Sequence, residues 1–191
     1  MKAGVLAMQG DFREHVAMFA ASGATALLVR TPEDLAAVDC LAIPGGESTT
    51  IAKLARDHEL VDPIRRRAAE GMPIFGTCAG MIVMAKRIDG GEPLLSLLDV
   101  TVRRNAYGRQ VDSFESEVEV KGVGPVRAVF IRAPVVSELG PEVEVLAEHG
   151  GQPVVVRQGN LLAAAFHPEI AGDPRLHARL LATAGSPRDR R

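Results

Sequence analysis

One cysteine lies among residues that suit a reactive nucleophile. Cys78 stands in Gly76-Thr77-Cys78-Ala79-Gly80, after the apolar run 74–77 and before a helical pattern at 79–86. Small flanking residues permit the sharp strand-to-helix turn that presents a nucleophile. The first amides of the helix, notably that of Ala79, favour a thiolate and can donate to an oxyanion. The segment is typical of nucleophilic acyl transfer, and it is equally compatible with a buried structural cysteine.

A candidate base follows the apolar run 161–166, in His167-Pro168-Glu169. Residues two apart in an extended segment point to the same side, with Cα atoms about 6.5–7 Å apart. Pro168 fixes its own φ and keeps His167 extended. Glu169 can therefore orient one imidazole nitrogen and leave the other for a thiol. Taken alone, the tripeptide also fits a surface histidine in a turn.

A third candidate segment is Pro44-Gly45-Gly46-Glu47-Ser48-Thr49, which follows the apolar run 40–43. Its two glycines permit positive φ and expose backbone N–H groups. The lysine-serine ending of a phosphate-binding P-loop is absent. We expect Gly46 to supply a second oxyanion donor and this segment to bind the α-carboxylate of a substrate. Ser48 alone fits the N-cap of an ordinary helix.

Strands that alternate with helices are predicted to position these residues. Strands are predicted at 3–8, 24–29, 40–43 and 74–77, and helices at 12–22, 62–70 and 79–86. Two further helices are predicted to begin at the caps Thr31 and Ser48. In the first helix Val16, Phe19 and Ala20 form an apolar face. Strands separated by helices predict a parallel sheet, and continuous apolar strands indicate that both of its faces are covered.

The second half of the chain has a different pattern. Strands are predicted at 98–103, 114–120, 126–131, 143–148, 153–157 and 161–166, and a last helix at 174–184. Period-two alternation and short glycine turns are typical of antiparallel hairpins. We therefore predict a three-layer α/β fold of the flavodoxin-like kind, with a central, mainly parallel sheet and antiparallel strands in its second half. A single domain spans 1–184, and 185–191 form a disordered tail.

Composition narrows the classes of function. The chain has 191 residues and a formal net charge of −2, which argues against nucleic-acid binding. The apolar run Ala3–Met8 is too short for a signal peptide or a membrane span. Two cysteines give no disulfide scaffold, and no metal or cofactor motif occurs. We expect a soluble cytoplasmic protein that uses no cofactor.

The remaining candidate residues have ordinary explanations. Cys40 begins an apolar strand and is interpreted as a small buried hydrophobic residue. The other histidines are interpreted as structural or surface residues; they are His15, His58, His149 and His177.

In this order the segments resemble the class I, triad-type glutamine amidotransferases over about residues 3–183. Within that group the chain closely resembles the glutaminase subunits of pyridoxal 5'-phosphate synthase. It is carried by 4–10, Arg13-Glu14-His15, 44–50, 75–80, Arg104-Asn105, 108–114, 130–134 and 166–169. The stretches 104–114 and 130–134 are the most specific, because sister amidotransferases generally lack them.

The resemblance implies a role for each matching residue. Cys78 would be the nucleophile, His167 the general base and acid, and Glu169 its orienting partner. The glutamine site would be lined by Gly46, Glu47, Ser48, Arg104, Ile131 and Arg132. The loop of Gln9 and Gly10 would lie at the interface with a partner and near the oxyanion hole.

That partner is implied to be a separate synthase subunit that makes pyridoxal 5'-phosphate from ribose 5-phosphate and glyceraldehyde 3-phosphate. Four lysines occur here, Lys2, Lys53, Lys86 and Lys121, and none lies in a recognisable Schiff-base motif. Ammonia would pass to the partner, and the isolated chain would be a poor glutaminase until docking. Two alternatives remain: a redox sensor built on the same cysteine, and a glutaminase that serves histidine or purine synthesis.

Overall fold

The computed structural model of the chain describes residues 1–104 and 113–185. The first half contains β1 (Lys2–Leu6), α1 (Phe12–Ala21), β2 (Thr25–Val29), α2 (Pro32–Ala36), β3 (Cys40–Ile43), α3 (Ser48–Asp57), α4 (Val61–Ala69), β4 (Ile74–Thr77) and α5 (Ala79–Met84). The second half contains β5 (Ala85–Ile88), β6 (Leu98–Arg103), β7 (Ser113–Val120), β8 (Gly124–Ile131), β9 (Val135–Leu139), β10 (Glu144–His149), β11 (Gln152–Gln158), β12 (Leu161–Ala164) and α6 (Arg175–Gly185).

A seven-stranded sheet forms the centre, in the order β10-β11-β12-β4-β3-β1-β2. The five strands from β12 to β2 are parallel to one another, and β11 is antiparallel to both β10 and β12. Every residue of β3 and β4 is buried, as expected for strands covered on both faces. The predicted α/β fold with a central, mainly parallel sheet is confirmed.

The order of strands reverses at β1. From β1 the chain moves outward to β2, and then crosses to β3 on the opposite side. Open α/β sheets bind ligands at such a switch point, in the crevice at the carboxyl ends of the strands. The loops after β1 and β3, which carry Gln9-Gly10 and Gly45-Gly46, begin at this point.

Two strands of the structure, β5 and β9, were not predicted from the sequence. β5 occupies the end of the helix predicted at 79–86, and β9 follows Pro134; with β6 they form a separate three-stranded sheet. The helix prediction failed at residue 85 because the run through 79–85 is apolar throughout. All six residues of α5 are buried, so no period marks where the helix ends.

Three local predictions need correction or completion. In α1 the buried residues are His15 and Phe19, whereas Ala20 is exposed. The N-cap of α3 is Glu47 and not Ser48, because a Glu47 carboxylate oxygen accepts from the backbone N–H of Thr49. α6 includes Gly185, the first residue of the expected tail.

The stretches 105–112 and 186–191 lie outside the described residues. They contain Asn105, most of the family-specific stretch 104–114 and the rest of the expected tail. Among the helices of the described ranges, none has the length and apolar character needed to cross a membrane.

Candidate active site

Three neighbouring strands deliver the predicted residues to one edge of the sheet. β4 pairs in parallel with β3 on one side and with β12 on the other. Their carboxyl ends therefore coincide, and Cys78, Gly45-Gly46 and His167 follow those ends within a few residues. The backbone N–H of Cys78 donates to the carbonyl of Ala164 at 2.8 Å, which ties the segments after β4 and β12 together.

Cys78 occupies a strained turn between β4 and α5. Its φ of 48° and ψ of −106° lie in a region that costs a non-glycine residue roughly 1–3 kcal/mol. The turn depends on glycine at both ends, since a Cβ at Gly80 would collide with the Ile43 carbonyl and one at Gly76 would crowd Gly80. The thiol lies 3.7 Å from the carbonyl oxygen of Ile131.

His167 and Glu169 form the predicted pair. Nδ1 of His167 lies 2.8 Å from Oε1 of Glu169, and both residues are 3% exposed. The backbone N–H of His167 donates to the Val129 carbonyl at 2.8 Å, which anchors the segment to β8. The ring is thus fixed by its main chain and by one carboxylate.

The charged forms of this pair stabilise each other. Burial acts strongly to lower the pKa of His167, but the hydrogen bonds with Cys78 and Glu169 and the two negative charges outweigh it and raise the pKa to about 10. Burial likewise acts to raise the pKa of Glu169, and its contacts with His15 and His167 hold that pKa well below its usual value. An imidazolium beside the Glu169 carboxylate is therefore the favoured state of His167.

The glycine loop after β3 packs closely against the ring and against the loop after β1. A Cβ on Gly45 would run into the His167 ring, and one on Gly10, at φ +95°, into the Gly45 carbonyl. The side-chain oxygen of Gln9 accepts from the backbone N–H of Glu47 at 2.7 Å. The loop of Gln9 and Gly10 thus holds the candidate oxyanion loop in place.

A cavity of about 330 Å³ opens over these groups. It is lined by residues predicted for the site, namely Gly46, Glu47, Ser48, Cys78, Ala79, Arg104, Ile131, Arg132 and His167. Nε of Arg104 is buried and has no hydrogen-bond partner among the described residues. Arg104 can therefore offer a donor to a bound carboxylate. Gln9 and Gly10 contact the loop behind Gly46 and do not themselves line the cavity.

Three further lining residues were missed by sequence analysis: Asp11, Ile82 and Ile170. Asp11 is the N-cap residue of α1, but its side chain makes no capping hydrogen bond, and its Oδ2 lies 3.3 Å from Nδ1 of His167. Burial raises the pKa of Asp11, and the charge of His167 opposes that rise. The sequence did not mark Asp11 as a site residue, because an acidic residue just before a helix normally indicates an N-cap.

Asp11, His167 and Glu169 place one polar atom each within 4.8 Å of one another. In residues 1–104 and 113–185 they are the only such group of side chains able to hold a metal ion. The imidazole nitrogen in the group is the one that faces Glu169 at 2.8 Å. Hydrogen bonding to a shared imidazolium accounts for the arrangement.

A buried polar cluster behind Glu169 was also missed. Oγ1 of Thr77 lies 3.3 Å from Oε1 of Glu169 and 3.0 Å from Nε2 of His15. Nδ1 of His15 lies 2.8 Å from Nε2 of His177. Both histidines were interpreted as structural or surface residues, and both are fully buried. The position of His15 four residues before Phe19 on one helix face was the available signal.

Comparison with known proteins identifies the family of the chain. The model of the SNO glutamine amidotransferase family matches residues 5–183. A pyridoxal 5'-phosphate synthase subunit PdxT of Streptomyces avermitilis is 58% identical over 179 residues, which cover 91% of this chain and 89% of that protein. The PdxT of Mycolicibacterium vanbaalenii is 57% identical over 187 residues, which cover 94% of this chain and 96% of that protein.

Solved structures give the same result. The crystal structure of a glutamine amidotransferase superposes with a TM-score of 0.93 at 53% identity, covering 96% of this chain and 99% of that one. The structure of PurLQS from Thermotoga maritima shares the fold, with a TM-score of 0.71 at 15% identity and 96% of each chain covered. The chain belongs to the SNO glutamine amidotransferase family.

Proposed function

We propose that this amidotransferase hydrolyses L-glutamine to L-glutamate and ammonia, with Cys78 as nucleophile, His167 as general base and acid, and Glu169 as its orienting carboxylate. One observation carries the proposal. Cys78 and His167 line the same cavity, while Nδ1 of the His167 ring faces Glu169 at 2.8 Å. Covalent acyl transfer requires a nucleophile, a base and an orienting group at one site, and these residues supply all three.

The first half of the reaction is attack on the side-chain amide of glutamine. The thiolate sulfur of Cys78 bonds to the amide carbon, and the carbonyl electrons move to oxygen. Amides at Gly46 and Ala79, which both line the cavity, are the proposed donors to that oxyanion. His167 then gives its proton to the nitrogen, the C–N bond breaks, and ammonia leaves with a glutamyl thioester on Cys78.

The second half is hydrolysis of the thioester. Neutral His167 accepts a proton from water as the water oxygen bonds to the thioester carbon. The C–S bond breaks, glutamate leaves, and the Cys78 thiolate and the His167 imidazolium are restored. Glu169 stabilises the ring each time it becomes charged.

Recognition of glutamine is assigned to the polar lining of the cavity: Gly46, Glu47, Ser48, Arg104, Ile131 and Arg132. Guanidinium groups suit the α-carboxylate through paired hydrogen bonds. The unpartnered Nε of Arg104 supports this assignment. The cavity volume of about 330 Å³ lies at the small end of the range for ligand sites, about 300–1,000 Å³.

The ammonia is proposed to pass to a synthase subunit that forms pyridoxal 5'-phosphate from ribose 5-phosphate and glyceraldehyde 3-phosphate. The names of the PdxT relatives, at 57–58% identity, favour this partner over one from histidine or purine synthesis. Docking is assigned to the loop of Gln9 and Gly10, because the Gln9 side chain accepts a hydrogen bond from the Glu47 amide at 2.7 Å and can transmit contact to the oxyanion loop.

The free thiols of Cys40 and Cys78 fit a reducing cytoplasm.

The test is glutamate release by wild type and Cys78→Ala, each with and without the synthase subunit. We expect activity from wild type that rises on addition of the synthase, and none from Cys78→Ala. Activity that survives in Cys78→Ala would overturn the assignment of the nucleophile. Equal rates with and without the synthase would overturn activation by docking. A redox sensor, the alternative from another class, would release no glutamate in any arm.

A further inference from the structure

The polar cluster behind Glu169 is a buried chain of hydrogen bonds that ends at that carboxylate. None of its members takes part in the proposed chemical steps. It consists of Thr77 at the end of β4, His15 on α1 and His177 on α6, and all three are 0% exposed. Buried polar side chains cost free energy unless they are hydrogen bonded. A chain of three such groups that ends on a catalytic carboxylate therefore calls for an explanation.

His177 provides the first constraint on direction. The edges of its ring meet Phe19 and Phe75, at interplanar angles of 86° and 85°, and its Nδ1 has no partner in the described part of the chain. Burial and the nearby His15 lower the pKa of His177 to about 3, so its ring is neutral. A neutral His177 makes its one described hydrogen bond through Nε2, to Nδ1 of His15.

Glu169 provides the second constraint. Its Oε1 lies 3.3 Å from the Thr77 hydroxyl and 3.5 Å from Nε2 of His15. A His15 ring without a proton on Nε2 would aim a lone pair at this carboxylate. It would also force Thr77 to donate to His15, and the carboxylate would lose that donor. A proton on Nε2 of His15 avoids both costs, because His15 then donates to Thr77 and the Thr77 hydroxyl donates to Glu169.

We propose that His15 and Thr77 are positioning residues for the glutaminase reaction, and that the chain from His177 through His15 and Thr77 to Glu169 fixes the carboxylate that orients His167. The Nε2–H of His15 and the Thr77 hydroxyl then both donate toward Glu169, whose Oε1 also receives the His167 Nδ1–H at 2.8 Å. The carboxylate is held from behind, so its position is set before glutamine binds. Neither residue touches the substrate cavity; they act through Glu169.

The inference rests on the proposed function, and its test uses matched substitutions at each residue. Thr77→Val keeps the shape and removes the donor, whereas Thr77→Ser keeps the donor and removes a methyl group. His15→Gln keeps an N–H near the Nε2 position, whereas His15→Leu does not. All four are assayed in complex with the synthase for kcat and KM of glutamine hydrolysis, with thermal unfolding measured in parallel.

Outer-shell partners of metal-binding histidines contribute about 10–100-fold to activity, and we take the same scale for the support of Glu169. We expect Thr77→Val and His15→Leu to lose about that much kcat with little change in KM, while Thr77→Ser and His15→Gln retain most of it. Should His15→Leu fail to fold, the pair at Thr77 decides. Equal kcat in Thr77→Val and Thr77→Ser, or losses that simply follow thermal stability, would overturn the positioning role. A wild-type complex without glutaminase activity would instead overturn the proposed function together with this inference, so the two failures are distinct.

Discussion

Nδ1 of His167 lies 2.8 Å from Oε1 of Glu169, and the two residues are separated only by Pro168. The sequence predicts an extended segment here, but in the structure Pro168 and Glu169 begin a turn directly after His167. That turn, with the pairing of His167 to Val129, brings the acid to the imidazole. Because this contact occupies Nδ1, Nε2 is the nitrogen left for the Cys78 thiol. A local sequence feature thus sets the orientation of the ring in the proposed reaction.

Replacement of Glu169 by glutamine tests that contact. The amide cannot stabilise an imidazolium as a carboxylate does, so we expect kcat for glutamate release to fall by roughly 10²–10⁴. Glu115→Gln, at a carboxylate whose side chain is 72% exposed, is the control and should retain wild-type activity. Both variants are assayed with the synthase. Full activity in Glu169→Gln would remove Glu169 from the mechanism.

The ionisation of His167 can be followed by NMR titration of its ring. Because Cys78 and Glu169 favour the charged form, we expect the ring to stay protonated through neutral pH and to lose its proton near pH 10, well above the ordinary value of 6.5. Cys78→Ala and Glu169→Gln each remove a favourable interaction and should lower this pKa. Titration of the wild-type ring near 6.5 would contradict the charged state of His167.

Asp11 adds a second negative charge beside the same ring nitrogen, at 3.3 Å. Asp11→Asn removes that charge and should lower the pKa of His167. Glu169 remains in place, so the loss of kcat should stay below about fivefold, as for a partly exposed ion pair.

Thermal stability separates Asp11 from an ordinary capping residue. The Asp11 side chain makes no capping hydrogen bond to α1, so the melting temperature of Asp11→Asn should stay near that of wild type. Asp34 belongs to the capping box of α2, so Asp34→Asn should lower the melting temperature and leave activity unchanged. The reverse pattern would show that Asp11 serves the helix and not the ring.

Substitution of Gly10 tests the loop that supports Gly46, and the same substitution at Gly23 is its matched control. Both have positive φ, +95° and +78°, so alanine at either position costs roughly 1–2 kcal/mol of backbone strain. Only Gly10 faces an obstacle, the carbonyl of Gly45, whereas nothing lies within 4 Å of a Cβ at Gly23. We expect both variants to melt earlier, and Gly10→Ala alone to lose about 10²-fold in glutaminase rate through displacement of the loop. Equal activities would separate this loop from catalysis.

The residues with a local signature could be predicted from the sequence. Cys78 is marked by its small neighbours and the strand before it, and His167 with Glu169 by their spacing. The parallel sheet followed from the alternation of apolar runs and helical patterns, and its topology explains why segments 89 residues apart meet: β4 and β12 are adjacent.

The residues that support the pair carried no such signature. His15 and His177 are 162 positions apart and meet only because α1 and α6 pack together. Asp11 had the form of a helix cap, and its role depends on where the tertiary fold places His167. β5 and β9 were missed because they are short strands of a small separate sheet. Neither contains a run of alternating polar and apolar residues long enough to predict a strand.

Covalent trapping tests the reaction most directly. The complex is incubated with glutamine, quenched in acid, digested and mapped by mass spectrometry for a glutamyl group on cysteine. We expect the adduct on Cys78, none on that residue in Cys78→Ala, and accumulation in His167→Gln if deacylation slows more than acylation. Cys40 is an internal control, because burial raises the pKa of its thiol to about 12. A glutamyl adduct on Cys40, or steady glutamate release by Cys78→Ala, would contradict the proposed mechanism.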